Sequence, residues 1–267
     1  MQILLVIRGR LNKMRIILNG DDFGRTHEAN LGVLKAMREG YISQTSVMVN
    51  TNYFDEAVRI AKEEGFQDKV GLHINLFEGT PLTGDYKKLK QYARYDMFDY
   101  RPDFFHKYFN LNVDVIQNEL EAQIKKYLSG GFTLMNIDSH HCAFYEKPVM
   151  TALIPLLKKY GFKSVRYIGN SYFNGSKFRD WYGNQWINTM DELNLKHPTY
   201  SSSVATFDKN MKKNNPALID ADAVEVYVHP VLVEGSFIDN FTGGTHLYES
   251  FKKTGLDKFD FITTKEI

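Results

Sequence analysis

Short apolar runs alternate along this chain with stretches of helical periodicity, and that alternation most restricts the folds open to it. Strands are expected over 15–19, 46–50, 69–75, 133–137, 164–168, 223–228 and 258–262. Helices are expected over 26–39, 54–64, 114–128, 148–160 and 245–253. In the second helix Phe54, Ala57, Val58 and Ala61 recur at i, i+3, i+4 and i+7, one helical face. Gly40, Gly65, Gly130-Gly131 and Gly161 each follow a helical pattern, where a left-handed residue closes the last turn. Strands separated by helices pair in parallel, because the crossover fits between them. Seven strand candidates, several ending in polar residues, favour an α/β, barrel-like arrangement with its site at the carboxyl ends of the strands. A chain of 267 residues is accounted for by one such domain.

Charge and cysteine usage remove several function classes. Lys plus Arg is 33 against Asp plus Glu at 32, and no basic block offers a nucleic-acid surface. The single cysteine, Cys142, excludes an intrachain disulfide framework and fits a reducing compartment, so a cytoplasmic location is expected. The apolar start, Met1-Gln2-Ile3-Leu4-Leu5-Val6-Ile7, is too short to span a membrane, and Arg8, Arg10 and Lys13 follow it. Residues 1–13 are therefore read as an N-terminal extension or alternative start, and 14–267 as a single domain. The long, aromatic, poorly periodic stretches 77–112 and 169–203 read as lids or binding surfaces.

The first strand ends in Gly20-Asp21-Asp22-Phe23-Gly24. Adjacent carboxylates at a strand end repel, and burying them costs several kcal/mol unless a cation or proton offsets the charge. A metal with a proton-transfer reaction uses such a pair, one Asp as ligand and its neighbour as base. The structural alternative is that Asp22 caps the helix that follows.

Other strands end the same way. Val70-Gly71-Leu72-His73-Ile74-Asn75 puts His73 and Asn75 on one face; alone, His73 reads as a core or rim histidine. Asn136-Ile137-Asp138-Ser139-His140-His141 empties a strand into Asp, Ser and two His, which is poor core chemistry and suits ligands better than a plain polar turn. Val224-Glu225-Val226-Tyr227-Val228-His229-Pro230 alternates and stops at His-Pro, a pattern that a turn enforced by proline would also give. Two His and one carboxylate form an open set for a catalytic divalent ion. The spare Asp would serve as base and a spare His as acid, the parts of a metal-assisted hydrolase.

These motifs resemble the YdjC-like carbohydrate deacetylases, which include the chitooligosaccharide deacetylases. Asn19-Gly20-Asp21-Asp22-Phe23-Gly24 is similar to the family's Asn-Ala-Asp-Asp-Phe-Gly signature. Gly71-Leu72-His73, Asp138-Ser139-His140-His141 and Glu225 through His229-Pro230 follow in the family's order, so the likeness spans about residues 14–232. The resemblance implies a distorted (β/α) barrel, seven-stranded or close to it, related to the polysaccharide-deacetylase barrel. It also implies metal-dependent hydrolysis of the acetamido group of N-acetylated mono- or oligosaccharides. It assigns the metal, one Mg2+ or Zn2+ ion, to Asp22, His73 and His140, the base to Asp21, and protonation of the leaving amine to His229.

The sequence departs from the family where Cys142 and Phe144 stand in place of further histidines, and after Pro230, where Gly243-Gly244-Thr245-His246 is idiosyncratic. A thiol near the site would suit zinc better than magnesium, and a small apolar filler is the other reading of Cys142. The altered motif and the aromatic loops motivate an alternative, a catalytically inactive sugar-binding or regulatory protein on the same fold. Phosphoester hydrolysis fits less well, because a two-metal site needs more bridging carboxylates than the motifs offer and the sequence has no Gly-rich phosphate cradle. The expected partner is an N-acetylated sugar, with no nucleic acid and no membrane; base rates favour a homodimer for any assembly.

Overall fold

The computed structural model describes residues 14–84, 93–94, 97–98, 112–167, 177–242 and 244–267. The 1–13 extension, most of the 77–112 stretch, the start of the 169–203 stretch, Gly243 and the Cys142 side chain lie outside the described residues. Seven strands carry the β/α alternation: β1 Arg15–Phe23, β2 Gln44–Val47, β3 Val70–Ile74, β4 Asn136–Ser139, β5 Ser164–Val165, β6 Tyr200–Ser203 and β7 Ala223–Val228. The longer helices among the described residues are α1 His27–Arg38, α2 Phe54–Glu63, α3 Val113–Ser129, α4 Lys147–Tyr160, α5 Lys177–Glu192, α6 Val204–Lys212 and α7 Leu247–Thr254. The fold class is the α/β, barrel-like one expected from the alternation, of the distorted (β/α) barrel type that the resemblance implies.

The chain divides into two compact units and crosses from one to the other within β1, α1 and β2, and again just before β5. One unit holds the sequence up to Asp21, Leu31–Thr45 and Ser164–Ile267; the other holds Asp22–Asn30 and Ser46–Lys163. The crossing inside β1 therefore falls on the peptide bond between the two aspartates.

In the first unit β7 lies parallel to β1, with Arg15 opposite Ala223 and Gly20 opposite Val228. On its other side β7 pairs with β6, Tyr200 opposite Val224 and Ser203 opposite Tyr227. Ile16, Ile17 and Leu18 are fully buried, as are Val224, Val226 and Val228. Each fully buried side chain of this size is worth roughly 1.5–3 kcal/mol. After β7 the chain forms a small antiparallel ribbon of β8 Pro230–Val233, β9 Ser236–Asp239 and β10 Thr245–His246. A short β11, Phe261–Ile262, adds to β1 in parallel.

In the second unit β3 and β4 run parallel, with His73 opposite Asp138 and Ile74 opposite Ser139. The Tyr127 hydroxyl on α3 bridges the carbonyls of Val70 and Leu134, at 2.9 and 2.6 Å, and so ties the helix beneath the starts of these two strands. On α2 the buried stripe is Phe54, Ala57, Ile60 and Ala61. Ile60 takes the core position that the sequence pattern gave to Val58, which is half-buried.

Three expectations about elements need correction. The stretch 169–203 is not a loop throughout, since it contains α5 and β6. Strand β6 reads Tyr-Ser-Ser-Ser and has no apolar run, yet all four residues are buried. Strands β2 and β4 begin two to three residues away from the expected starts, because buried polar side chains (Gln44, Thr45 and Ser46 in β2, Asp138 and Ser139 in β4) sit inside the strands rather than beyond them.

Candidate active site

Asp22 is not a helix cap. Its φ is +68°, a left-handed conformation that few non-glycine residues adopt outside functional sites and tight turns. The turn of α1 is capped instead by the Thr26 hydroxyl, which accepts from the Ala29 amide at 3.1 Å.

In the second unit Asp22, His73 and His140 come together, all buried, with their ligand atoms within 4.8 Å of one another. Asp22 Oδ1 lies 2.9 Å from His140 Nδ1 and 3.4 Å from His73 Nε2. Ligand atoms about 2.0–2.1 Å from a shared ion stand about 3.0–3.4 Å apart, so this donor set fits a divalent ion. Strand pairing supplies the support: His73 Nδ1 meets Asp138 Oδ1 at 2.7 Å, directly across the β3–β4 ladder. A carboxylate on the far nitrogen fixes the ring orientation and strengthens a metal-binding imidazole. The carboxylate oxygen suits magnesium and the two imidazole nitrogens suit zinc.

Arg25 and Glu78 border this cluster. Arg25 bonds Asp22 Oδ2 at 3.0 Å and grips Glu78 at 2.8 and 2.6 Å. Burial opposes ionisation of Glu78, but His140, 3.4 Å away, and the hydrogen-bonded Arg25 outweigh it and lower its pKa to about 2. Burial likewise works against the His140 imidazolium, yet Asp22 and Glu78 hold it above the ordinary histidine range. His141 has the opposite environment: burial and the neighbouring His140 lower its pKa. Phe144, one of the two departures from the family's histidine pattern, is a buried core residue.

The acid–base candidates lie in the first unit. Asp21 is buried and accepts two bonds from Arg166, at 2.7 and 2.6 Å, and one from Asn19 Nδ2 at 2.6 Å. Arg166 also donates to Glu225 at 3.0 Å, and Glu225 accepts from the Ser201 hydroxyl at 3.1 Å. The guanidinium lies over the Tyr227 ring, 5.0 Å from its centroid. His229 Nε2 stands 3.9 Å from Asp21 Oδ2, and its Nδ1 stands 3.8 Å from Asp239 Oδ1. Burial pushes the Asp239 carboxyl up, against the pull of His229 and of two backbone amides.

Each residue expected from the sequence thus belongs to one of two clusters, Asp22 with His73 and His140, and Asp21 with His229. Sequence reasoning missed Arg25, Glu78, Arg166 and Asp239 and gave Asp138 no role. Asp138 could have been found, because it stands one residue before Ser139-His140 in a strand that otherwise alternates. An isolated arginine such as Arg166 carries no local signal.

The sequence pattern of the YdjC-like proteins matches residues 15–263. Carbohydrate deacetylase 1 of Listeria innocua is 29% identical over 230 residues, covering 84% of this chain and 91% of that protein. A carbohydrate deacetylase of Thermoanaerobacter pseudethanolicus is 36% identical over 148 residues, 54% of this chain and 57% of its own. Among solved structures, a protein of Enterococcus faecalis V583, provisionally described as a cellobiose-phosphate cleavage protein, superposes with a TM-score of 0.68 at 19% identity. That match covers 96% of this chain and 98% of the other, and it speaks for the fold alone. Among the described residues no helix is long and apolar enough to cross a membrane.

Proposed function

The chain belongs to the YdjC-like family, and on that premise we propose that it is a carbohydrate deacetylase, a hydrolase of amide C–N bonds. Its substrates are N-acetylated mono- or oligosaccharides of the chitooligosaccharide kind, and acetate is released. The observation that carries the reading is the buried Asp22, His73 and His140 set braced by Asp138.

Asp22, His73 and His140 would hold one divalent ion, magnesium or zinc, whose chemistry when bound is to polarise an acetyl carbonyl and acidify a water. Asp21 receives the proton of the attacking water. Arg166 and Asn19 fix its carboxylate in place as an acceptor. His229 delivers a proton from its ring to the departing amine, so the sugar leaves as a free amine and the acyl group as acetate. Asp239 accepts from the His229 backbone amide at 3.1 Å and anchors that residue. We place the enzyme in the cytoplasm, on its cysteine usage, and take residues 14–267 as one functional domain.

Acetate release from N-acetylglucosamine and short chitooligosaccharides, with protein reloaded with magnesium or zinc, tests the reading. Acetate supports it. Saturable sugar binding with no acetate under either metal would favour the non-catalytic, sugar-binding alternative.

A further inference from the structure

We propose that Phe241 is a sugar-stacking residue, whose open ring face receives the pyranose that carries the acetamido group. The inference rests on His229 acting as the acid of the proposed deacetylation.

Phe241 is 63% exposed; a single exposed apolar side chain is ordinary on a protein surface, and it is the neighbour of this one that gives it meaning. One side of its ring stacks on the His229 imidazole, with centroids 5.2 Å apart and planes 23° from parallel. The pair is held as a unit. Asp239, 1% exposed, accepts from the amides of both His229 and Phe241 at 3.1 Å. The Asn240 amide closes the turn onto the His229 carbonyl at 2.9 Å. The exposed ring is therefore fixed beside the candidate acid.

The chemistry decides what lies against it. An acid hands its proton over a hydrogen bond of about 2.6–3.2 Å, and the nitrogen that receives it is bonded directly to a ring carbon of the sugar. Wherever His229 protonates the amine, the pyranose is only one covalent bond further away, within reach of a ring stacked on His229. Aromatic rings offer a flat apolar surface with a negative face, which suits the polarised C–H groups on one side of a pyranose. The acetyl side has no ring to stack, so Phe241 addresses the sugar and its contribution is to binding.

The test uses full-length, metal-loaded protein with diacetylchitobiose, comparing wild type, Phe241→Ala and Phe241→Trp. The proposal predicts that Phe241→Ala raises KM at least tenfold, with a much smaller change in kcat, and that Phe241→Trp keeps KM within about threefold of wild type. It also predicts a saturable, sugar-dependent change in fluorescence with Phe241→Trp, beyond any change in wild type, which already holds Trp181 and Trp186. A fall in kcat with KM unmoved would mean that Phe241 only positions His229, and would overturn the proposal. Unchanged kinetics with no added fluorescence response would overturn it as well. If no variant releases acetate but the fluorescence response is present, sugar stacking stands and the deacetylase reading fails; absence of both overturns both.

Discussion

Arg166 holds Asp21 with both arms of its guanidinium, Nη1 to Oδ2 at 2.7 Å and Nη2 to Oδ1 at 2.6 Å, while its Nε reaches Glu225 at 3.0 Å. One cation thus serves two buried carboxylates. Removing one partner of a buried pair leaves uncompensated charge and costs about 3–5 kcal/mol. Arg166→Met is therefore expected to lower the thermal midpoint by several degrees and to cut kcat at least tenfold. Calorimetry and initial rates on the same preparation check both.

Asp21→Asn keeps the volume and the Asn19 neighbour but cannot take a proton. Turnover is expected to vanish while metal content stays at the wild-type level, as read by elemental analysis of the purified variant. Loss of the metal in this variant would mean that the roles of Asp21 and Asp22 are exchanged.

Asp138 would support a bound ion through His73, across a 2.7 Å contact. Replacing such a supporting carboxylate typically weakens metal binding about 10–100-fold. Asp138→Asn should show that loss in a calorimetric titration with zinc, while its circular dichroism spectrum remains that of the wild type.

Gly32, on α1, packs against the backbone that follows His229. A Cβ there would stand 2.3 Å from the Pro230 carbonyl oxygen and 2.5 Å from Val231 Cα. Backbone cannot yield as a flexible side chain does, so Gly32→Ala is expected to cost about 1–3 kcal/mol. It should also lower kcat by displacing the His229-Pro230 segment, with denaturant unfolding and steady-state rates as the readouts.

Glu78 links stability to pH in the metal-free protein. Its pKa is lowered from an ordinary 4.5 to about 2 in the folded state. A depressed carboxyl contributes stability that is fully present above the unfolded value and is lost as pH falls through the folded one. The contribution should therefore disappear between about pH 4.5 and pH 2. Glu78→Gln should flatten the stability profile over that window and leave its slope above pH 5 unchanged.

Strands rich in Val, Ile and Leu announce themselves, and their polar ends mark Asp21, Asp22, His73, His140 and His229 as candidates, whose roles came from the family resemblance. Strand β6 was not legible, because its burial rests on hydrogen bonds such as Ser201 to Glu225 rather than on apolar side chains. Arg166 and Asp239 were hidden for a related reason. Each takes its role from a partner far along the chain, Asp21 for the arginine and the His229-Phe241 turn for the aspartate, and periodicity contains no trace of such pairings. The left-handed backbone of Asp22 was likewise invisible, since aspartate in that conformation leaves no mark on composition.

Acetate release measured against bound metal tests the central claim most directly. Protein stripped with a chelator and titrated with magnesium or zinc is assayed on N-acetylated chitooligosaccharides, alongside His140→Ala. The account predicts that acetate release rises in step with metal bound at the Asp22, His73 and His140 set, and that His140→Ala gains neither. Undiminished acetate release from the stripped protein would contradict it.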